Sequence, residues 1–346
     1  MNLFKIYRKR GKRRLVVASI LLLALFFLIW ISLISGSNGI IWKDSAKFFT
    51  YTKNDANWLL IVEAIRLPRA LGALMVGMLL GLSGVAMQGV LRNPLASPFT
   101  LGISYAAGFG AAFAIVVLET EVFYSSFIST FSIALCAFFA SLLCSILIVW
   151  IGKKVGMSPT NLILAGVGLG SLFHSGTMFL QYYTNEINAA ATLFWTFGDL
   201  SKATYETIMI LMLFFIPSLV LLWAAHWKFD ALGFGDENAF NKGVNVKTFR
   251  AFVLLLAALC TAIAVAFFGL IGFIGLVAPH MVRLAIGNAH SALIPLSALC
   301  GGVLLLGADF VARMLLYPSV LPVGILTSFI GAPMLLYLLV KHGRKE

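Results

Sequence analysis

The chain has 346 residues, 61% of them hydrophobic and 11% charged, with a mean hydropathy of +0.99, which leaves too little polar surface to cover a water-soluble globule. The net charge of +12 does not signal nucleic acid, because the basic residues cluster at the ends of apolar runs, the pattern that sets orientation in a membrane. Runs of about twenty apolar residues recur along the whole length and match a hydrocarbon core about 30 Å thick, so the chain reads as an all-α polytopic membrane protein.

Residues 1–14 form a basic N-terminus, with Lys5, Arg8, Lys9, Arg10, Lys12, Arg13 and Arg14 ahead of the first apolar run, Leu15 to Ser35. The pair resembles the opening of a secretion signal. The run is too long, however, and lacks a clear cleavage site, so it is expected to stay as an uncleaved first span with its basic end cytoplasmic. Gly36 to Asn57 is expected outside, as a loop with a short interfacial helix around Trp42 to Phe49. The spans Leu67–Leu91, Leu95–Leu118, Phe127–Ile151, Asn161–Tyr183 and Tyr205–Trp227 then alternate inward and outward.

A polar inner stretch follows at about 228–250. Phe252 to Gly287 is too long for one span and short for two, so it is expected to hold one full span and a shorter return ending near Arg283. Leu293–Val311 and Val323–Val340 complete ten spans with both termini cytoplasmic. This threading puts 18 of the 25 Lys and Arg inside, as the positive-inside rule requires. Residues 15–346 are expected to make a single transmembrane domain. Each half also holds a glycine-studded span that ends in a proline-containing basic turn, Leu91–Leu95 and Ala278–Arg283, a weak inverted repeat of the kind common in transporters.

Several positions invite chemistry. Arg66 and Arg69 sit at the outer end of a span around Pro68, and planar guanidinium forks suit capture of carboxylates on an acidic partner. Interfacial snorkelling, or pairing with Glu63, accounts for them equally well. Arg313 follows Asp309 by four residues, a spacing at which the pair can neutralise itself on one helix face. Arg92-Asn93-Pro94-Leu95 breaks two spans at the inner face, as a tight turn or as a constriction at the mouth of a path. Ser158-Pro159 could supply a second constriction.

His280 has no second ligand at metal spacing, and Cys136, Cys144, Cys260 and Cys300 lie in apolar runs without C-x-x-C pairs, so no metal site or cofactor is expected. No catalytic motif is present, and without a G-x-x-x-x-G-K-[ST] loop the chain is not expected to hydrolyse ATP itself. A stand-alone ion-coupled carrier is disfavoured because the mid-span regions carry almost no ionisable groups.

Taken together, RLPRALGALMVGMLLGLSGVAMQGVLRNPLASPFTLGIS from Arg66, LILAGVGLG, FGLIGFIGLVAPHMVRLAIG, GADFVAR and LPVGILTSFIGAP resemble the permease subunits of type II ABC importers for iron-siderophores, haem and cobalamin. The resemblance runs from Arg66 to near the C-terminus and implies a cobalamin-permease-like fold of ten spans. It also implies a second permease subunit, as a homodimer or heterodimer, two cytoplasmic ATPase subunits and an extracytoplasmic substrate-binding protein. In that family, arginines at the positions of Arg66, Arg69 and Arg313 receive acidic residues of the binding protein. Asn93, Pro94 and Leu95 match an inner gate turn, and Ser158 with Pro159 fall where a second gate loop lies. Leu232–Val244, LGFGDENAFNKGV, looks like the segment that couples to the ATPase, with Gly235, Asp236, Glu237, Ala239 and Gly243 at the matching positions. Lys242 departs from the leucine usual before the final glycine. The family's usual cargo makes a ferric siderophore the expected substrate, carried across a bacterial or archaeal cytoplasmic membrane, with cobalamin or haem as alternatives.

Overall fold

The computed structural model describes residues 3–36, 39–40, 60–119, 127–316 and 319–343. The interfacial helix expected around Trp42–Phe49 lies outside these residues. The helices are α1 (Leu3–Ile34), α2 (Leu67–Leu91), α3 (Ile103–Val116), α4 (Phe127–Val155), α5 (Pro159–Tyr183), α6 (Glu186–Thr196), α7 (Tyr205–Ala224), α8 (His226–Leu232), α9 (Asp236–Asn241), α10 (Val246–Phe268), α11 (Ile274–Ile286), α12 (His290–Leu315) and α13 (Val323–Gly343). Among the described residues, seven helices are long and apolar enough to cross a membrane, and α3, α11 and the first part of α13 are shorter apolar helices. Together they account for the ten apolar segments expected from sequence.

Helix α2 is the spine. Its most apolar stretch is 83% buried, against 17% for that of α1, so α2 is enclosed by protein whereas α1 turns Leu15, Leu23 and Phe26 outward to lipid. Helices α7, α10, α11 and α12 pack directly on α2. The cause is the small-residue pattern, because in lipid close backbone approach replaces the hydrophobic drive that joins helices in water. A Cβ on Gly77 would overlap the Gly301 carbonyl of α12, and one on Gly84 would overlap the Gly275 carbonyl of α11. That second carbonyl is a special one. Pro279, four residues on inside α11, has no N–H to give it, and the bare Cα of Gly84 lies against it instead. Ser83 and Gln88 add polar pins, donating to the carbonyls of Ala257 on α10 at 2.8 Å and Leu276 on α11 at 3.2 Å.

Three local differences from the sequence expectations have identifiable causes. The span expected from Leu95 starts only at Ile103, since Asn93-Pro94 and the Ser97–Thr100 hydrogen bonds hold residues 92–102 in turns. The basic turn expected at Ala278–Arg283 is helix, within α11. The chain break falls earlier, between Gly269 and Phe273, where both residues adopt positive φ. Helix α6 lies in a stretch expected to connect two spans; Asn185 caps it by accepting the Asn188 N–H at 2.8 Å.

Candidate functional site

Helix α2 carries a charged cluster at each end. At its start, Arg69 donates to Asp309 of α12 from Nε (2.9 Å) and a terminal nitrogen (2.8 Å). Arg313 places its Nε 3.1 Å from the other carboxylate oxygen. It also donates to the Ser32 hydroxyl at 2.5 Å and, from its other terminal nitrogen, to the Ser35 carbonyl at 3.4 Å. Asp309 is fully buried and Arg313 nearly so. Two cations on one carboxylate satisfy the charge that burial would otherwise penalise and leave the group net positive. Arg66, in the π-helical turn Val62–Arg66 that leads into α2, donates to the Leu33 carbonyl of α1 at 2.7 Å. The three arginines singled out in the sequence therefore stand together, but Arg69 and Arg313 are structural ligands of Asp309. An edge of Arg69 still lines a hollow of about 510 Å³ with Lys202, Asp199 and Trp195.

The opposite end of α2 is closed by Arg92 in the left-handed conformation, with φ 49° and ψ 35°, unusual for a residue with a side chain. Asn93 then accepts the Leu95 N–H at 2.9 Å, which sets the Pro94 turn. Ser158 caps α5 by accepting the Asn161 N–H at 3.2 Å, with Pro159 as the first helical residue. Gly235, at φ 109°, admits the chain to the short α9, which holds Asp236, Glu237 and Ala239; Gly243, at φ 82°, releases it. Lys242, the departure noted above, sets its ammonium 5.2 Å over the Phe234 ring.

Arg250 joins the end of α2, the approach to α5 and the start of α9. It is 1% exposed, donates to the Val90 carbonyl at 3.1 Å and the Met157 carbonyl at 2.5 Å, and forks onto both oxygens of Asp236 at 3.0 and 3.1 Å. Arg92 reaches the same carboxylate at 3.1 Å. Sequence reasoning counted Arg250 only as one more inner charge. Its position in α10 carried the signal: Phe249, Arg250, Val253, Leu254 and Ala257 repeat at helical spacing and are all buried.

Nearby, Asp230 of α8 accepts both the backbone N–H (3.0 Å) and the ring Nδ1 (2.7 Å) of His290, capping α12, whose own cap position is Ala289 and offers no side chain. Burial pushes the Asp230 carboxyl up, but the hydrogen bonds from His290 outweigh it and hold the group below its ordinary value.

Helices α3, α5, α6 and α13, with the turn ahead of α11, leave a cavity of about 730 Å³ whose lining, among the described residues, includes Phe99, Tyr105, His174, Gln181, Phe197 and Ser328 and no charged side chain. Tyr105 stands 5.3 Å from His174 and 5.1 Å from Phe99 between ring centroids. Phe99 belongs to the turn that begins at Asn93, so the floor of the cavity and the Arg92 turn are one piece of chain.

Comparison with known proteins gives a single answer. The model of the FecCD transport family matches residues 22–341. A Methanocaldococcus jannaschii protein named as an ABC transporter permease is 43% identical over 346 residues, 99% of each chain. The hemin transport system permease protein HmuU of Yersinia pestis is 35% identical over 96% of this chain and 97% of its own. Other relatives are named for ferric citrate and vitamin B12 import. A solved structure described as an inward-facing conformation of a metal-chelate type ABC transporter superposes with a TM-score of 0.81 at 29% identity, covering 94% of this chain and 99% of that one. The chain belongs to the FecCD transport family, as a multi-pass ABC permease.

Proposed function

We propose that the chain is one half of the membrane path of an ABC importer that carries ferric siderophores across the cytoplasmic membrane, driven by separate ATPase subunits. Residues 15–346 form its single permease domain, and a second permease copy or homologue supplies the other half. The Arg69 end faces the extracytoplasmic binding protein. The Arg250 end and both termini face the cytoplasm, which puts most basic residues on the inner side. Supporting the reading are three features: a net positive cluster at one end of α2, a polar segment at 228–250 tied to the turns at its other end, and a cavity lined by uncharged residues of α3, α5, α6 and α13.

Each named residue takes a role in this scheme. Arg66, with the open edge of Arg69 and neighbouring Lys202, meets acidic residues of the binding protein, while Arg313 holds Asp309 and Arg69 in place behind them. Asn93, Pro94 and Leu95, together with Ser158 and Pro159, form the inner gate turns.

 Leu95 closes the first of these turns. Gly235, Asp236, Glu237, Ala239 and Gly243 form the segment that meets the ATPase. An uncharged wall lets a bulky chelate pass without a site that would trap it. Iron as cargo draws support from the hemin and metal-chelate names among the relatives.

The test is ATP-dependent uptake of labelled ferric siderophores, hemin and cobalamin into cells with and without this gene. Loss of ferric-siderophore uptake alone is the expected result. Loss of hemin or cobalamin uptake instead would keep the importer and overturn the cargo.

A further inference from the structure

We infer that Arg250 is the positioning residue that passes movement of the α9 segment to both turns at its end of the bundle, an inference that rests on the ABC permease reading above. The observation is one of connectivity. A single guanidinium, 1% exposed, binds three separate pieces of chain: Asp236 at the start of α9, Val90 in the last turn of α2, and Met157 just before the Ser158 cap of α5. Sequence separations of 160, 93 and 14 residues mean that no covalent neighbour duplicates these links.

The chemistry suits transmission. Arginine's fork is planar and stays charged, so its donors move as one rigid body, whereas a lysine would offer a single point charge. Val90 and Met157 accept only through backbone carbonyls, so a shift of Arg250 acts on the chain itself and not on a side chain that could rotate away. The carboxylate at the other side of the fork is different: the Asp236 side chain is 40% exposed and also holds Arg92, at the one left-handed residue that ends α2. The clamp therefore has an accessible side on α9 and a buried side on the two turns. Its reach continues to the cavity, because the turn that starts at Arg92 supplies Phe99 to the cavity lining.

The experiment uses the full complex of this chain with its ATPase subunits in lipid nanodiscs, with the native cysteines replaced and an exposed reporter, Lys154→Cys, at the end of α4. Two quantities are read: ATP turnover per assembled complex, and the change in maleimide labelling rate of the reporter on adding ATP. Arg250→Gln is expected to reduce the labelling response about tenfold, a coupling loss in the range seen for residues that link two sites, while turnover falls far less. Arg250→Lys should fall between the two. Asp236→Asn removes the charge and one of the two acceptor oxygens on the α9 side and leaves Arg250 on its carbonyls, so it should also reduce the response, and it decides the matter if Arg250→Gln does not assemble. A full response in these variants, or loss of response and turnover together in proportion to assembled complex, would overturn the inference. Failure of the unaltered chain to assemble with an ATPase would instead overturn the ABC reading beneath it.

Discussion

Asp309 and Arg69 meet as a buried pair across 240 residues of sequence, the guanidinium donating to the carboxylate from two nitrogens. With Arg313 on the other oxygen, the carboxylate fastens α2 to α12 at the positive end of the bundle. The same arginines are thus both framework and candidate docking surface, and the predictions below separate the two roles.

Removing the carboxylate should be costly. Asp309→Ala leaves the buried Arg313 and the partly buried Arg69 without their counter-ion, and truncating one partner of a buried ion pair typically costs about 3–5 kcal/mol. Thermal unfolding of the purified protein in detergent should show a large fall in midpoint. Replacing all three residues by apolar ones, Arg69→Met, Asp309→Leu and Arg313→Met, should recover most of it; no recovery would mean that the charges stabilise more than their burial costs.

Docking is best probed at Arg66, because Arg69 and Arg313 both hold the fully buried Asp309. Arg66→Glu should weaken binding-protein affinity by about tenfold or more, as expected where a charge meets its opposite across an interface, and should cost less stability than a change at Arg69, which holds the fully buried Asp309. Arg69→Glu should lower both. Unchanged affinity on titrating binding protein against Arg66→Glu would remove the outer arginines from the docking role.

Gly84→Ala should destabilise by about 1–3 kcal/mol, the usual range for overpacking, because its new Cβ meets the Gly275 backbone and backbone cannot swing aside. Gly168→Ala is the control, with nothing within 4 Å of the added carbon. Comparable midpoints for the two variants would show that α2 and α11 are not held at the separation described.

The Asp230 cap predicts a pH dependence. Its carboxyl lies below the ordinary value of 3.8, so its contribution is complete above that value and is lost as pH falls through the lower, folded one. Asp230→Ala should therefore cost about 1 kcal/mol at neutral pH, the usual worth of a helix cap. The stabilities of variant and parent should converge in acid below the ordinary carboxylate range. A gap that stays constant down to that range would assign the loss to packing.

Much of this architecture was legible in the sequence, for a physical reason: the hydrocarbon thickness imposes a length on each span, and Pro68, Arg92-Asn93-Pro94 and Ser158-Pro159 mark ends by chemistry that acts locally. The pairing of Asp309 with Arg313 was legible too, since four residues bring side chains together on a helix. The third member, Arg69, was not, because contacts between distant helices leave no trace in local spacing. Residues 95–102 look like apolar span, and only the side-chain hydrogen bonds between Ser97 and Thr100 reveal a turn. Helix α6 escaped notice because its eleven residues are too few to show a clear period. Arg250 was visible as a charge but not as a hub; burial turned one into the other.

The 240-residue separation of Arg69 and Asp309 also has a consequence for biogenesis. At synthesis rates of about 5–20 residues per second, Arg69 enters the bilayer some tens of seconds before its carboxylate leaves the ribosome. Asp309, by contrast, is followed about one helical turn later by Arg313 and so inserts already matched. Until α12 arrives, α2 must keep its arginine hydrated at the membrane surface or shielded by another protein. The final third of the chain, on this view, completes a core that the first third has been holding open.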